Sequence, residues 1–369
     1  MLLKHSRLAV FFCFISFGCM SSKVNSGSSS SLSATNLKPF GRAFIDDKQN
    51  LQLISSAVHF GFTFEGTECL LFASITNKGG HNYLQYELDG QYQKRLKIAG
   101  NSTDPITITA PANGKHTVWI YKATEAHTGA ILVQKITANK VHAIARPSAP
   151  LIEFIGNSIT CGAAADPSEV ACGKGEYHDQ HNAYAAYGPG VARTLKTNFI
   201  LSSVSGIGVY RNWNSNGPTM PQVYEKMDFQ DNNTVQWNFA KYTPAIVSIA
   251  LGTNDFSRGD GVKKRLPFDS AAFVTTYVKF IQLVKTKYPK AQIALLSSPM
   301  SGGNDRVLLQ NCLTAVKATV DKLFSSDKQV AVFFFKPMQA HGCGGHPNVA
   351  DHAILAAELT PFFKNLLEK

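Results

Sequence analysis

The sequence predicts two domains: an all-β sandwich or jelly roll over residues 37–148, followed by a doubly wound α/β domain over residues 149–369. Short apolar stretches lie between turn dipeptides in the first half, whereas apolar runs alternate with helical stretches in the second. Pro147 and Pro150 mark the boundary. A chain of 369 residues can bury two cores, and its 44% hydrophobic and 17% charged residues are typical of a globular protein.

The first half is expected to form short strands. Its apolar stretches are residues 58–64, 69–75, 83–88, 106–109, 116–121 and 131–136. Asp89-Gly90 and Asn113-Gly114 favour tight turns, and no helical period is sustained. This spacing of strands and turns is typical of a sandwich or jelly roll.

The second half is expected to form a parallel sheet with helices on both faces. The predicted strands are residues 151–155, 199–204, 245–251, 292–297 and 330–335. The predicted helices are residues 181–196, 270–287, 305–324 and 348–367.

The N-terminus has the features of an export signal. Lys4 and Arg7 precede an apolar stretch too short to span a bilayer, so residues 1–18 are interpreted as a signal peptide. Gly18-Cys19 resembles a bacterial lipoprotein site, which would anchor the exported chain at Cys19; plain secretion is the alternative. Residues 19–36 are serine-rich and predict a flexible tether.

The formal charge of +11 raises the possibility of a nucleic-acid partner. The Lys and Arg residues are scattered, however, and no basic run forms a patch, so a solvated basic surface is the preferred interpretation.

Export permits disulfides, and five cysteines follow Cys19. Because five is odd, at least one thiol is free or all are reduced. Cys161–Cys172 and Cys312–Cys343 are candidate pairs, and buried unpaired thiols are the alternative.

Four loops that follow predicted strands carry residues typical of acyl-transfer chemistry. They are residues 156–158 (Gly-Asn-Ser), 205–208 (Ser-Gly-Ile-Gly), 252–255 (Gly-Thr-Asn-Asp) and 342–347 (Gly-Cys-Gly-Gly-His-Pro). Each motif alone is typical of an ordinary turn or helix start. In a doubly wound sheet all four loops meet at the carboxyl edge, where ligands bind.

The residue types at this edge suit ester hydrolysis. Ser158 would attack a carbonyl carbon, and His346 would act as the base and then as the acid. The backbone N–H groups of Ser158 and Gly206, with the side-chain amide of Asn254, would hold the oxyanion. No cofactor is expected. The chain lacks the Gly-x-Ser-x-Gly elbow of α/β-hydrolases.

These four blocks resemble those of the SGNH (GDSL-like) hydrolases, which implies a flavodoxin-like sheet. Together with the β-rich leader, they resemble carbohydrate esterase family 2, which implies a jelly-roll domain before an SGNH domain and removal of O-acetyl groups from xylan or glucomannan. The segments carrying this resemblance are Gly41-Arg42, Thr124-Glu125 and residues 152–162, 206–212, 251–255 and 342–347.

The chain departs from the family pattern at two places. Asn157 stands where Asp is commonest, and Cys343 and Gly344 stand where the acid of the triad is usual. Some family members lack this acid, which implies a Ser158–His346 dyad whose imidazole a backbone carbonyl could orient. Asp351 is the nearest downstream carboxylate, and its spacing from Asn348 favours a helix cap over catalysis.

Two histidine groupings raise the alternative of a metal site. His341, Cys343 and His346 have zinc-ligand types, but a metal there would compete with the base. His178, Asp179 and His181 form a second group, for which a polar loop entering a helix is preferred. No metal is therefore predicted.

Several residues near the loops are candidates for substrate binding. They are Trp213, Tyr210 and Asp255. The flat indole of Trp213 suits an apolar sugar face, with loop packing as the alternative, whereas Trp237 is expected to pack against the sheet.

The preferred prediction is an exported, monomeric carbohydrate O-acetyl esterase that acts on acetylated polysaccharide through an acetyl-serine intermediate. One alternative is a carbohydrate-binding protein with a weakened esterase site, suggested by the missing acid. Another is an SGNH lipase or thioesterase, which would leave the β-rich leader unexplained.

Overall fold

The computed structural model describes residues 29–368. Its strands are β1 (Ser29–Ser33), β2 (Ala43–Ile45), β3 (Leu51–Leu53), β4 (His59–Ile75), β5 (His81–Leu88), β6 (Gln91–Ala99), β7 (Ile106–Lys122), β8 (Ile131–Ala143), β9 (Leu151–Gly156), β10 (Asn198–Ser203), β11 (Ile246–Ala250), β12 (Gln292–Leu296) and β13 (Ala331–Phe333). Its α-helices are α1 (Ser158–Cys161), α2 (Tyr187–Leu195), α3 (Met220–Val223), α4 (Thr253–Phe256), α5 (Ser270–Lys287), α6 (Gly303–Leu323) and α7 (Val349–Leu367).

The first eight strands form one antiparallel, β-rich domain. Its sheet has the order β2-β3-β8-β4-β7-β5-β6, and β1 pairs with β8. The predicted β-class domain is therefore confirmed, while the jelly-roll topology stays a prediction. Sequence analysis missed β6, since this edge strand carries exposed charged residues rather than a clean apolar alternation.

Two local predictions in this domain are wrong. The tether was expected to extend to residue 36, but Ser29–Ser33 form β1 because Leu32 is buried in the β core. Asn113-Gly114 does not reverse the chain: it lies inside β7, opposite an irregularity in the pairing with β4 between Gly66 and Glu68. A bulge can use the same turn-forming residues without ending the strand.

The second domain has a parallel sheet in the order β10-β9-β11-β12-β13. Numbered within the domain, this is the 2-1-3-4-5 order of flavodoxin-like folds, so the predicted doubly wound sheet is confirmed. The helix predicted over residues 181–196 starts later, at Tyr187. Residues 181–186 are non-helical, and the His181 side chain is bound to Glu125 of the first domain. The other three predicted helices match α5, α6 and α7 to within two residues at each end.

The predicted signal peptide and Cys19 lie outside the described residues. Within residues 29–368, none of the helices combines the length and the apolar character that crossing a membrane requires.

Arg42 of the β-rich domain ties the two domains together. Its guanidinium, fully buried, donates to the carbonyl oxygens of Tyr224 (2.7 Å) and Lys226 and stacks over the Phe229 ring at 4.0 Å. Burial lowers the pKa of Arg42 to about 10, a value at which it remains charged at neutral pH. The nearby Glu153 carboxylate, which accepts from Ser202 Oγ at 2.6 Å, favours that charged form.

We expect Arg42→Ala to lower the free energy of unfolding by about 3 kcal/mol, because it leaves two carbonyls without their donor and removes the positive charge near Glu153. Denaturant unfolding of Arg42→Ala and of the control variant Arg258→Ala measures this difference. Arg258 is an exposed arginine of the second domain. Equal stability of the two variants would contradict the role given to Arg42.

Candidate active site

Ser158 is delivered by the end of the central strand β9. The strand ends at Gly156, where a Cβ atom would lie 2.0 Å from Thr160 Oγ1, so the chain can turn this tightly only with glycine. The Asn157 side chain then caps α1 by accepting from the N–H of Ile159 at 3.1 Å. Ser158 is therefore the first residue of a helix, and its own N–H has no intrahelical partner.

His346 lies against Ser158. Its Nε2 is 2.9 Å from Ser158 Oγ, while Nδ1 is 3.3 Å from the carbonyl oxygen of Cys343. Because a carbonyl can only accept, Nδ1 carries the proton and Nε2 presents its lone pair to the serine hydroxyl. This geometry is consistent with a backbone carbonyl that orients the imidazole, which stays a prediction.

The loop that carries His346 is fixed by a disulfide between Cys172 and Cys343. Both predicted pairs are wrong, since Cys161 and Cys312 are buried free thiols. The alternative zinc grouping of His341, Cys343 and His346 loses a ligand because the Cys343 sulfur is committed to the disulfide. Cys343 N–H also donates to Ala164 O at 2.9 Å, so the residue whose carbonyl holds the imidazole is itself held on two sides.

Asp351 caps helix α7 rather than serving His346. Its Oδ2 accepts from Asn348 N–H at 3.0 Å, and Asn348 Oδ1 accepts from Asp351 N–H at 2.8 Å. The same carboxylate accepts from the backbone N–H and ring of His341, both at 2.8 Å. This geometry agrees with the predicted capping role.

The predicted oxyanion donors lie on loops that follow three neighbouring strands of the parallel sheet. Gly206 has a φ of +75°, a conformation that favours glycine, and its N–H donates to no acceptor within residues 29–368. Asn254 is buried in the short helix α4, which follows β11, and its Nδ2 donates one proton to Ile207 O at 2.7 Å. Since an amide nitrogen has two protons, the second remains for a ligand.

Glu125, from the β-rich domain, organises this edge of the sheet. Its carboxylate is fully buried and accepts from Ser205 N–H at 2.7 Å and from His181 Nε2 at 2.9 Å. Burial raises the pKa of Glu125, but the hydrogen bond from His181, the charges of His181 and His127 and the hydrogen bond from Ser205 outweigh burial and bring the value to about 2. The anion thus fixes the peptide next to Gly206. Sequence reasoning singled out Thr124-Glu125 only through family resemblance, because a partner 80 residues away leaves no local signal.

Asp255 does not face a substrate, contrary to prediction. It is fully buried, and its Oδ1 accepts from the N–H groups of Val209 (3.0 Å), Tyr210 (2.8 Å) and Arg211 (3.2 Å). Burial raises the pKa of Asp255 to about 6, and these backbone donors moderate that effect. The side chain anchors the loop after Gly206.

Tyr210 is also placed away from the predicted substrate site. Its hydroxyl accepts from Asp269 N–H at 3.1 Å, and its ring packs edge-on against Phe268 and Phe273. Trp237 is 4% exposed and stacks on Tyr242, as expected for a packing residue.

Trp213 is the one predicted substrate residue that lines an open cleft. Trp213 is 45% exposed, and its backbone N–H donates to Gly206 O at 2.8 Å. The cleft has a volume of about 730 Å³ and includes Ser205 and Gly206 in its wall. Arg265, which sequence analysis missed, supports this loop by donating to the carbonyls of Asn212 and Trp213.

Two family models match consecutive parts of the chain. Residues 40–147 match the model described as carbohydrate esterase 2 N-terminal, and residues 154–354 match the GDSL-like lipase/acylhydrolase family.

Curated relatives extend this similarity. The chain is 31% identical over 337 residues to the cellulase/esterase CelE of Acetivibrio thermocellus, covering 89% of this chain but only 39% of CelE. It is 25% identical over 338 residues to an acetylxylan esterase/glucomannan deacetylase of Cellvibrio japonicus, covering 90% of this chain and 89% of that protein.

Solved structures share the fold. A family two carbohydrate esterase from Clostridium thermocellum in complex with cellohexaose has a TM-score of 0.78 and 28% identity, over 90% of this chain and 99% of that one. A family two carbohydrate esterase from Cellvibrio japonicus has a TM-score of 0.78 at 22% identity, over 92% of this chain and 98% of that one.

We expect the reaction of Ser158 with a serine-directed phosphonate to speed up as pH rises through a midpoint below the ordinary histidine pKa of about 6.5. Burial lowers the pKa of His346, the Cys343 carbonyl partly opposes this effect, and nearby His181 adds to the lowering. Since only the neutral imidazole accepts the serine proton, the reaction with the phosphonate slows when pH falls below the pKa of His346. A pH–rate profile measures the midpoint, and a value above 7 would contradict this assignment.

Proposed function

This chain belongs to the GDSL-like lipase/acylhydrolase family and to carbohydrate esterase family 2, and on this premise we propose that it is a carbohydrate O-acetyl esterase acting on acetylated polysaccharide such as xylan or glucomannan. The observation that carries the proposal is the hydrogen bond of 2.9 Å between His346 Nε2 and Ser158 Oγ. This pair supplies a nucleophile and a base at the sheet edge where ligands bind.

The reaction begins with proton transfer. His346 Nε2 accepts the hydroxyl proton while Ser158 Oγ bonds to the acetyl carbonyl carbon. The resulting oxyanion is held by the N–H groups of Ser158 and Gly206 and by the free amide proton of Asn254. Collapse of this intermediate breaks the bond to the sugar oxygen, which takes the proton from His346.

Hydrolysis of the acetyl-serine repeats these steps with water. His346 Nε2 removes a proton from water, the hydroxide adds to the acetyl carbon, and the bond to Ser158 Oγ breaks with return of the proton to the serine. Acetate leaves and the site is restored, so no cofactor takes part in this scheme.

The Cys343 carbonyl takes the place of the missing carboxylate in this scheme. It accepts the Nδ1 proton throughout the cycle and so keeps Nε2 directed at Ser158. A neutral carbonyl stabilises the imidazolium less than a carboxylate does, and the Glu125 anion supplies part of the missing negative potential.

The cleft beside Gly206 supports a carbohydrate substrate. The exposed indole of Trp213 offers a flat apolar surface for a sugar ring, and the Asn212 and Ser215 region adds polar groups to the cleft wall. The relatives named for acetylxylan and glucomannan support the same substrate class. Comparing acetyl with long-chain esters distinguishes this proposal from a lipase.

The location proposed for the enzyme is outside the cytoplasm, as a monomer anchored by lipid at Cys19. The Cys172–Cys343 disulfide supports export, because such bonds persist in oxidising compartments.

We expect Ser158→Ala to lower kcat for acetate release from acetylated xylan and from 4-nitrophenyl acetate by at least ~10⁴-fold, because the nucleophile is gone. Asp351→Asn is the matched control, since it removes the nearest downstream carboxylate but not the proposed base, and it should retain turnover. Acetate release by pure Ser158→Ala would overturn the esterase assignment, while loss of turnover in folded Asp351→Asn would overturn the dyad.

A further inference from the structure

Three metal-ligating side chains meet at the junction of the two domains, and none of them takes part in the proposed acyl-transfer steps. His81 begins β5 of the first domain, and His178 and Asp179 lie in the 3₁₀ helix Tyr177–Gln180 of the second. Sequence analysis grouped His178 and Asp179 with His181, but His181 is bound to Glu125 and His81 occupies the third position. We propose that His81, His178 and Asp179 bind a divalent transition-metal ion of the zinc type that joins the two domains.

The ligand atoms are near binding distance. One ring nitrogen of each histidine and one carboxylate oxygen of Asp179 lie within 4.8 Å of one another. Because Zn–N and Zn–O distances are about 2.0–2.2 Å, the ligand atoms around one zinc are at most ~4.3 Å apart. His81 Nε2 already hydrogen-bonds Asp179 Oδ1, so an ion would require these two groups to move apart and the longest separation in the cluster to shorten by roughly 0.5 Å.

The groups around the ligands match those that orient metal ligands in proteins. Tyr83 donates its hydroxyl to Asp179 Oδ1 at 2.8 Å, and Glu176 N–H donates to Oδ2 at 2.7 Å. His178 Nε2 is 3.0 Å from the carbonyl oxygen of His81, which fixes the proton on Nε2 and leaves Nδ1 as the ligand atom. Two nitrogens and one carboxylate oxygen leave a fourth position open, as in many three-ligand zinc sites.

An ion can reach this cluster and is not repelled from it. A cavity of about 260 Å³ is lined by His81, His178 and Glu176 and gives access from solvent. Arg95, the nearest guanidinium, donates to the backbone carbonyl of Asp179 and forms an ion pair with Glu169 at 3.3 Å. The positive charge of Arg95 is therefore partly balanced before a metal arrives.

Binding here would stabilise the joined domains. The segment that carries His178 also carries Cys172 of the disulfide and Tyr177, whose hydroxyl donates to Ser205 Oγ at 2.8 Å. Since the three ligands converge only in the folded chain, metal binding adds to the stability of the native state.

The test is calorimetric titration of the metal-free protein, without a histidine tag, with ZnCl₂, alongside thermal unfolding. The expected result is one ion per chain and a Tm that rises with zinc, with affinity reduced at least tenfold in His81→Ala and His178→Ala. His178→Gln serves as a second variant, and a cooperative unfolding transition without zinc shows that each variant folds. His142→Ala, at an exposed histidine of β8, is the matched control and should bind as the wild type does.

Two results would overturn the proposal. One is the absence of stoichiometric zinc binding by the wild-type chain. The other is zinc binding that survives in His178→Ala and His178→Gln, which would place the ion at another histidine such as His346. Neither result bears on the esterase proposal, which Ser158→Ala tests separately.

Discussion

The hydrogen bond between His346 Nδ1 and the Cys343 carbonyl is the contact on which the active-site geometry depends. It fixes the tautomer that presents Nε2 to Ser158, a task usually given to a carboxylate. A carbonyl can do this only if its own peptide is immobile. The disulfide to Cys172 and the Cys343 N–H bond to Ala164 O provide that rigidity.

The β-rich domain contributes side chains that hold loops of the candidate active site in place. Glu125 holds the Ser205 peptide beside Gly206. Arg42 donates to the Lys226 carbonyl, in the segment that leads to Phe229 in the cleft wall. Both side chains are fully buried charges, which are tolerated because each has hydrogen-bond partners from the other domain. We infer that the α/β domain alone would not keep the proposed oxyanion loop in its present conformation.

Much of the fold could be predicted from the sequence, and so could the loops that carry the candidate site. The five apolar strands predicted the sheet class, and the loops that carry Ser158, Gly206 and Asn254 follow neighbouring strands, so topology alone places these loops at one edge of the sheet. The rest depended on distances that sequence spacing does not encode. The disulfide joins residues 171 positions apart, and Asp255 and Tyr210 stand next to site residues but turn their side chains into the protein.

The most direct test is to determine the tautomer of His346. The ¹⁵N NMR spectrum of histidine-labelled protein shows which ring nitrogen is protonated, at a pH where the imidazole is neutral. The His346→Gln variant identifies its signals by their loss. We expect a protonated Nδ1 and an unprotonated Nε2. A proton on Nε2 with a bare Nδ1 would show that the Cys343 carbonyl does not orient the imidazole, and would contradict the central claim.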